Sequence, residues 1–212
     1  MLNMRMLFYC ALITLPLVTN QEKDSNLKER LGAKLEVETS VVEATTCISG
    51  YSVRSDLTLQ AVFKNVGRYP IILDKGSGTV GGYKIYHSLQ NGKPDLIEYD
   101  TRFTIHVMSD PPRIEGAMPS SSFVILQPQE QYQGKAKTIL IIDDRKQYEH
   151  FSSDAHYLQM GMWTTDGTLA DANNLDDLRA RWKAIGYLWT EGATTKPMEM
   201  RFPELGSIKQ CQ

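Results

Sequence analysis

Cysteine is scarce in this chain. Its 212 residues include three, Cys10, Cys47 and Cys211. So few exclude a disulfide-dense scaffold, and a chain of this length buries a sizeable core without covalent staples. A charge excess is also lacking. Lys and Arg total 23 against 25 Asp and Glu, a formal net charge of −2. The strong basic bias of nucleic-acid binders is therefore missing, and no Lys/Arg cluster suggests an anionic membrane surface. No Gly-x-Ser-x-Gly nucleophile elbow occurs, and no Asn-x-Ser/Thr acceptor for an N-glycan. Histidine is limited to His87, His106, His150 and His156, with no two of them at i+2 or i+4. That leaves no local half of a zinc site, and the sequence alone favours solvated loops over a metal centre. No cofactor is expected.

Long apolar runs are also rare. The one that stands out is Met6 to Val18 (MLFYCALITLPLV), after a short segment whose one positive charge is Arg5. Its length suits the apolar part of an export signal and is too short for a spanning helix. The reading is a cleavable signal over residues 1–20, a polar linker over 21–34, a folded domain over 35–205 and a C-terminal tail over 206–212. The protein is expected outside the cytoplasm, secreted or periplasmic, with no membrane span in the mature chain. Cysteine usage fits that compartment. Cys47 and Cys211 remain as an even pair, a natural disulfide in an oxidising environment.

From Leu35 onward the hydrophobic period is two. Leu57, Leu59, Ala61 and Phe63 alternate with Thr58, Gln60, Val62 and Lys64, a half-buried strand with one clean face. Asn65 to Pro70 is a turn cluster, and Ile71 to Leu73 resumes as a short strand. Tyr83 to Leu89, Arg102 to Met108, Phe123 to Leu126, Thr138 to Ile142, His156 to Trp163 and Met198 to Phe202 carry strand-favouring residues. Short strands separated by Gly, Pro, Asn and Asp turns predict an all-β, antiparallel β-sandwich. One short helix is predicted over about 174–185. Asn174 can cap it, Asp176 and Asp177 suit its first turn, Leu175, Leu178, Trp182 and Ile185 share a face, and Gly186 suits the C′ position.

The remaining constellations have plain structural explanations. Gly76 to Gly81 (GSGTVG) fits G-x-G-x-x-G, but a dinucleotide site needs a helix to follow, and Gly82 to Tyr86 reads as strand; a flexible hairpin loop is expected instead. Asp143, Asp144, Glu149 and His150 read as a polar loop. Asp166, Asp171, Asp176 and Asp177 match no calcium-loop spacing and read as turn and cap residues. Ser120 to Ser122 reads as an exposed turn. Trp163, Trp182 and Trp189 read as core.

Three segments carry a resemblance. Leu57 to Ile71 (LTLQAVFKNVGRYPI) has the order strand, Asn, small turn, Pro, apolar. Phe123 to Gln131 (FVILQPQEQ) is similar to a strand followed by Leu-x-Pro-Gly-Glu, with Gln129 in place of the Gly. Tyr187 to Phe202 pairs a Trp-bearing strand with a Pro-led last strand. Together they resemble immunoglobulin-like modules of exported bacterial proteins, and also the bacterial proteinase-inhibitor sandwich family. The resemblance implies an immunoglobulin-like sandwich and transfers no site residue.

These readings point to a non-enzymatic, exported binding or protein-interaction module. Its partner would be a protein or glycan in the envelope or outside the cell. Its recognition would sit on long loops, with Pro111, Pro112, Arg113, Ile114 and Met118 as the candidate contact residues. Two alternatives stand beside it. One is a proteinase inhibitor presenting the 109–122 loop, with Arg113 entering a trypsin-like pocket. The other is a carbohydrate-binding or hydrolytic domain using the acids at 143–150 and 166–177.

Overall fold

A computed structural model describes residues 32–75, 79–102, 117–163 and 175–212. The long hairpin at its centre follows from side-chain alternation. Strand β2 (Ser52–Asn65) buries Val53, Ser55, Leu57, Leu59, Ala61, Phe63 and Asn65, every odd-numbered residue, and leaves the even ones half-exposed or exposed. Strand β1 (Leu35–Ser49) pairs antiparallel to it, and the register shifts by one between Val41 and Glu43. The extra residue, Val42, sits 57% exposed. This bulge lets Val37 and Ile48, of opposite parity, both face inward. Strand β9 (Gln131–Ile142) pairs antiparallel with the other edge of β2 and buries Ala136, Thr138, Leu140 and Ile142.

The other strands are β3 (Ile71–Asp74), β4 (Thr79–Tyr86), β5 (Leu89–Gln90), β6 (Lys93–Pro94), β7 (Ile97–Arg102), β8 (Phe123–Leu126), β10 (Ala155–Trp163), β11 (Tyr187–Leu188), β12 (Gly192–Thr194), β13 (Met198–Arg201) and β14 (Lys209–Gln210). One sheet runs β14-β1-β2-β9. A second runs β12-β10-β4-β7, with β13 also paired to β10. A third runs β11-β3-β8, and β5 and β6 form a small hairpin. All pairings are antiparallel except β1 with β14 and β11 with β3. The inner faces of the first two sheets meet in one apolar core that includes Val37, Leu57, Phe63 and Leu140 from the first and Tyr83, Ile85, Leu158 and Met160 from the second. The expected all-β sandwich is therefore what the chain forms.

Two tyrosines join those sheets. The Tyr83 hydroxyl donates to the Ile141 carbonyl (2.8 Å) and accepts from the Ile141 amide (2.9 Å). Tyr99 donates to the same carbonyl at 2.9 Å. At Ile141 the side of β9 turned away from β2 is thus satisfied by side chains of β4 and β7. Asn65 does comparable work at the end of β2. Its side chain donates to the Tyr69 and Leu126 carbonyls and accepts from the Gly67 amide, each at 2.9 Å, which fixes the predicted turn.

Two helices interrupt the strands. α1 (Arg145–Ser153) stands where the sequence reading expected a polar loop. Asp144 caps it by accepting from the Lys146 amide at 2.8 Å, and Tyr148 and Phe151 anchor it in the core. α2 (Leu175–Trp182) is the predicted helix. Leu178 and Trp182 pack in a smaller cluster with Ile72, Phe123 and Leu188. Gly186 receives a different explanation from the predicted left-handed cap. A Cβ there would stand 2.9 Å from the Pro70 carbonyl oxygen, so close backbone approach selects glycine. The Gly-rich segment is not a hairpin either. β3 and β4 lie in different sheets, so the segment carries the chain from one to the other; residues 76–78 lie outside the described ones.

Cys47 and Cys211 are bonded, with Cα atoms 4.9 Å apart and a sequence separation of 164. β14 then runs parallel to β1, and the Cys211 amide donates to the Ile48 carbonyl at 2.9 Å. The last residues are thus part of the sheet. At the other boundary Ala33 is buried, so packing begins two residues before the expected domain start.

A bridge closing so long a loop contributes about 5 kcal/mol in the chain-entropy account. The C47S/C211S double variant, or the reduced protein, is expected to lose up to about that much in a urea titration; an unchanged midpoint would show that the bond carries no stability. Alkaline pH gives a second expectation. The Tyr148 hydroxyl donates to the Pro203 carbonyl at 2.9 Å, and burial pushes its pKa up to about 12. Burial also raises Tyr83. The folded state keeps protons that an unfolded tyrosine releases near pH 10. Stability should be full below about pH 10 and fall as pH rises toward about 12. Urea midpoints and tyrosinate absorbance, measured together across that range, check the sign.

Candidate metal centre

Glu98 lies at an irregularity in β7. Ile85 of β4 faces Tyr99 and Tyr86 faces Ile97, so Glu98 is the extra residue of a bulge and has no partner across the ladder. Bulges re-aim side chains, and this one lies beside three imidazoles. His87 follows directly after β4. Its amide donates to the Leu96 carbonyl at 3.1 Å and closes the base of the β5–β6 hairpin. The hairpin turns on Asn91 (φ 52°) and Gly92 (φ 74°), the left-handed pair that a tight two-residue turn requires. That turn brings His87 back against the start of β7. His150 comes from the last turn of α1, and His156 is the second residue of β10.

The distances are short. His156 Nε2 is 2.7 Å from Glu98 Oε2, while His87 Nδ1 and His150 Nε2 lie 3.2 and 3.3 Å from Glu98 Oε1. One donor atom each from His87, Glu98 and His156 falls within 4.8 Å of the others. Burial is graded. The His156 side chain is 1% exposed and Glu98 12%, whereas His87 and His150 are 53% and 62% exposed. Phe151 and Phe202 pack on the His156 ring, with centroids 5.2 and 6.4 Å away. The site is therefore a buried imidazole and carboxylate with two exposed imidazoles on the solvent side.

The buried pair decides what the site can do. His156 Nδ1 lies 3.1 Å from the Asp154 carbonyl oxygen. A carbonyl only accepts, so Nδ1 carries a proton, and in the neutral ring Nε2 presents a lone pair. Nε2 and Glu98 Oε2 nevertheless make no hydrogen bond, despite their separation of 2.7 Å. The contact is close in distance but wrong in direction for a shared proton. A neutral nitrogen lone pair and a carboxylate oxygen so near each other repel unless a positive charge lies between them. A carbonyl holding the far nitrogen of a ligating imidazole is also the usual second-shell arrangement of a metal site.

The donor set fits a borderline divalent ion. Imidazole nitrogen with one carboxylate suits zinc, copper, nickel or iron, whereas calcium and magnesium take oxygen ligands. The bound ion would act as a positive charge shared by Glu98 and the imidazoles.

The sequence reading favoured no metal and did not bring these residues together. The clustered residues come from a hairpin base, a bulged strand, a helix and a further strand, so no pair has local metal-ligand spacing. His106 lies outside the described residues. Of the acidic segment 143–150, His150 joins the site, while Asp144 serves as a helix cap. Pro111, Pro112, Arg113 and Ile114 also lie outside the described residues, and Met118 is 62% exposed. Trp182 and Trp189 are core, as expected.

No family model and no curated protein matches this chain. A solved structure described as the X-ray structure of Northeast Structural Genomics Consortium target SoR45 aligns with 85% of this chain and 95% of its own, at 15% identity and a TM-score of 0.32. A similarity that low carries no structural or functional argument.

Proposed function

We propose that this protein is an exported binding module whose ligand at the Glu98 site is a single divalent transition-metal ion. The observation that carries the reading is the buried His156 Nε2, 2.7 Å from Glu98 Oε2 without a hydrogen bond, with its other nitrogen held by the Asp154 carbonyl. His87 adds a third donor from the solvent side. Export is supported by the apolar N-terminal run and by a disulfide that suits an oxidising compartment. Among the described residues no helix is long and apolar enough to cross a membrane. The resemblance to immunoglobulin-like exported modules points the same way. Nothing in the described structure favours the proteinase-inhibitor alternative.

Calorimetric titration of the chelator-treated protein with zinc chloride tests the reading. One ion per chain should bind, with a dissociation constant in the micromolar range or tighter, and excess magnesium or calcium should not displace it. H156A and E98A should each weaken binding by about a hundredfold or more, since removal of even an outer-shell partner typically costs ten- to a hundredfold. Absence of zinc binding, or undiminished binding in both variants, would end the proposal.

A further inference from the structure

We infer that His150 is the fourth ligand, so that the ion is enclosed by four protein donors and keeps no position for a substrate. This inference rests on the metal-binding reading above. A tetrahedral ion with bonds of about 2.0–2.1 Å sets its ligand atoms about 3.3 Å apart. Glu98 Oε1 already lies 3.2 Å from His87 Nδ1 and 3.3 Å from His150 Nε2, so two edges of the tetrahedron are present; His150 stands outside the mutual 4.8 Å grouping of His87, Glu98 and His156, so its exposed ring turns inward to complete the rest. The two exposed rings stand at similar distances from the buried one. The His87 and His150 centroids are each 6.0 Å from that of His156, with interplanar angles of 75° and 69°.

The helix that carries His150 is held in place, while the ring of His150 stays free to turn. Tyr148 and Phe151, on either side of it in sequence, are fully buried, and Asp144 caps the helix that carries all three. Its Nε2 shares a hydrogen bond with Glu98 Oε1 at 3.3 Å, which aims the ring at the carboxylate before any ion arrives. The solvent side of the centre is thus occupied by two imidazoles. Catalytic zinc sites differ, with three protein ligands and a water in the open position. A four-donor site holds and exchanges an ion, and its exposed histidines are the ligands that can swing aside to admit it. The class of activity is ion carriage or ion-dependent stabilisation, not metal-assisted hydrolysis.

Cobalt(II) substitution tests this, because four-coordinate cobalt absorbs strongly in the visible and six-coordinate cobalt only weakly. The cobalt-loaded protein should show the intense spectrum. H150A should still bind one ion, about tenfold or more weakly, with a fainter spectrum as water enters. X-ray absorption of the unmodified zinc-loaded protein, which depends on no variant, should count three imidazoles. A weak cobalt spectrum, two imidazoles, or an H150A protein with unchanged affinity and spectrum would overturn the inference while leaving metal binding intact. Failure of the unmodified protein to bind either ion would overturn both readings.

Discussion

The Glu98 carboxylate is held almost out of solvent beside a fully buried imidazole, and the architecture around the site serves to keep it there. Taking a carboxylate out of water costs several kcal/mol even after the protein relaxes around it. Exposed charged pairs of this chain, such as Lys196 with Glu38, carry no such cost and little stabilisation. Glu98 is repaid only if positive charge reaches it. Its neighbours are histidines, and the most deeply buried of them has its outer nitrogen committed to a carbonyl. A divalent ion meets that requirement and also satisfies the lone pair of His156.

The elements that enforce the arrangement depend on one another. The hydroxyls of Tyr83 and Tyr99 tie β4 and β7 to the edge of β9, and Glu98 lies one residue before Tyr99. The Asn91–Gly92 turn folds His87 back onto β7. α1 follows β9 after a two-residue link, is capped by Asp144, and hands the chain to β10 at the point where His156 enters the core. Tyr148 then bonds to Pro203 beyond β13, which connects the helix with the closing strands. Each contact is ordinary on its own. Their convergence places three imidazoles from three separate elements around one carboxylate.

Much of the sandwich was legible in the sequence, because two-residue alternation is a local property. β2 shows it most clearly, from Val53 to Asn65, and β3, β8 and β10 were also readable. The Cys47–Cys211 bond was legible from pairing arithmetic, and α2 from its apolar face and caps. α1 was not, because its nine residues include two anchors, Tyr148 and Phe151, in an otherwise polar segment. Asp144 as a cap and the i, i+3 spacing of those aromatics were the available signals. The bulge at Glu98 left no trace in composition. The candidate metal site was illegible for a related reason. His87, Glu98, His150 and His156 are brought together by sheet pairing and by a helix-to-strand reversal, and motif spacing records neither.

The central claim is that positive charge of a metal ion belongs between Glu98 and the histidines. Anomalous X-ray diffraction at the zinc edge, on crystals of the protein grown with one equivalent of zinc, tests it most directly. The account predicts a single strong peak within bonding distance, about 2.0–2.2 Å, of Glu98 and His156. Crystals whose anomalous map is empty there, with His156 and Glu98 joined by an ordinary shared proton, would contradict it.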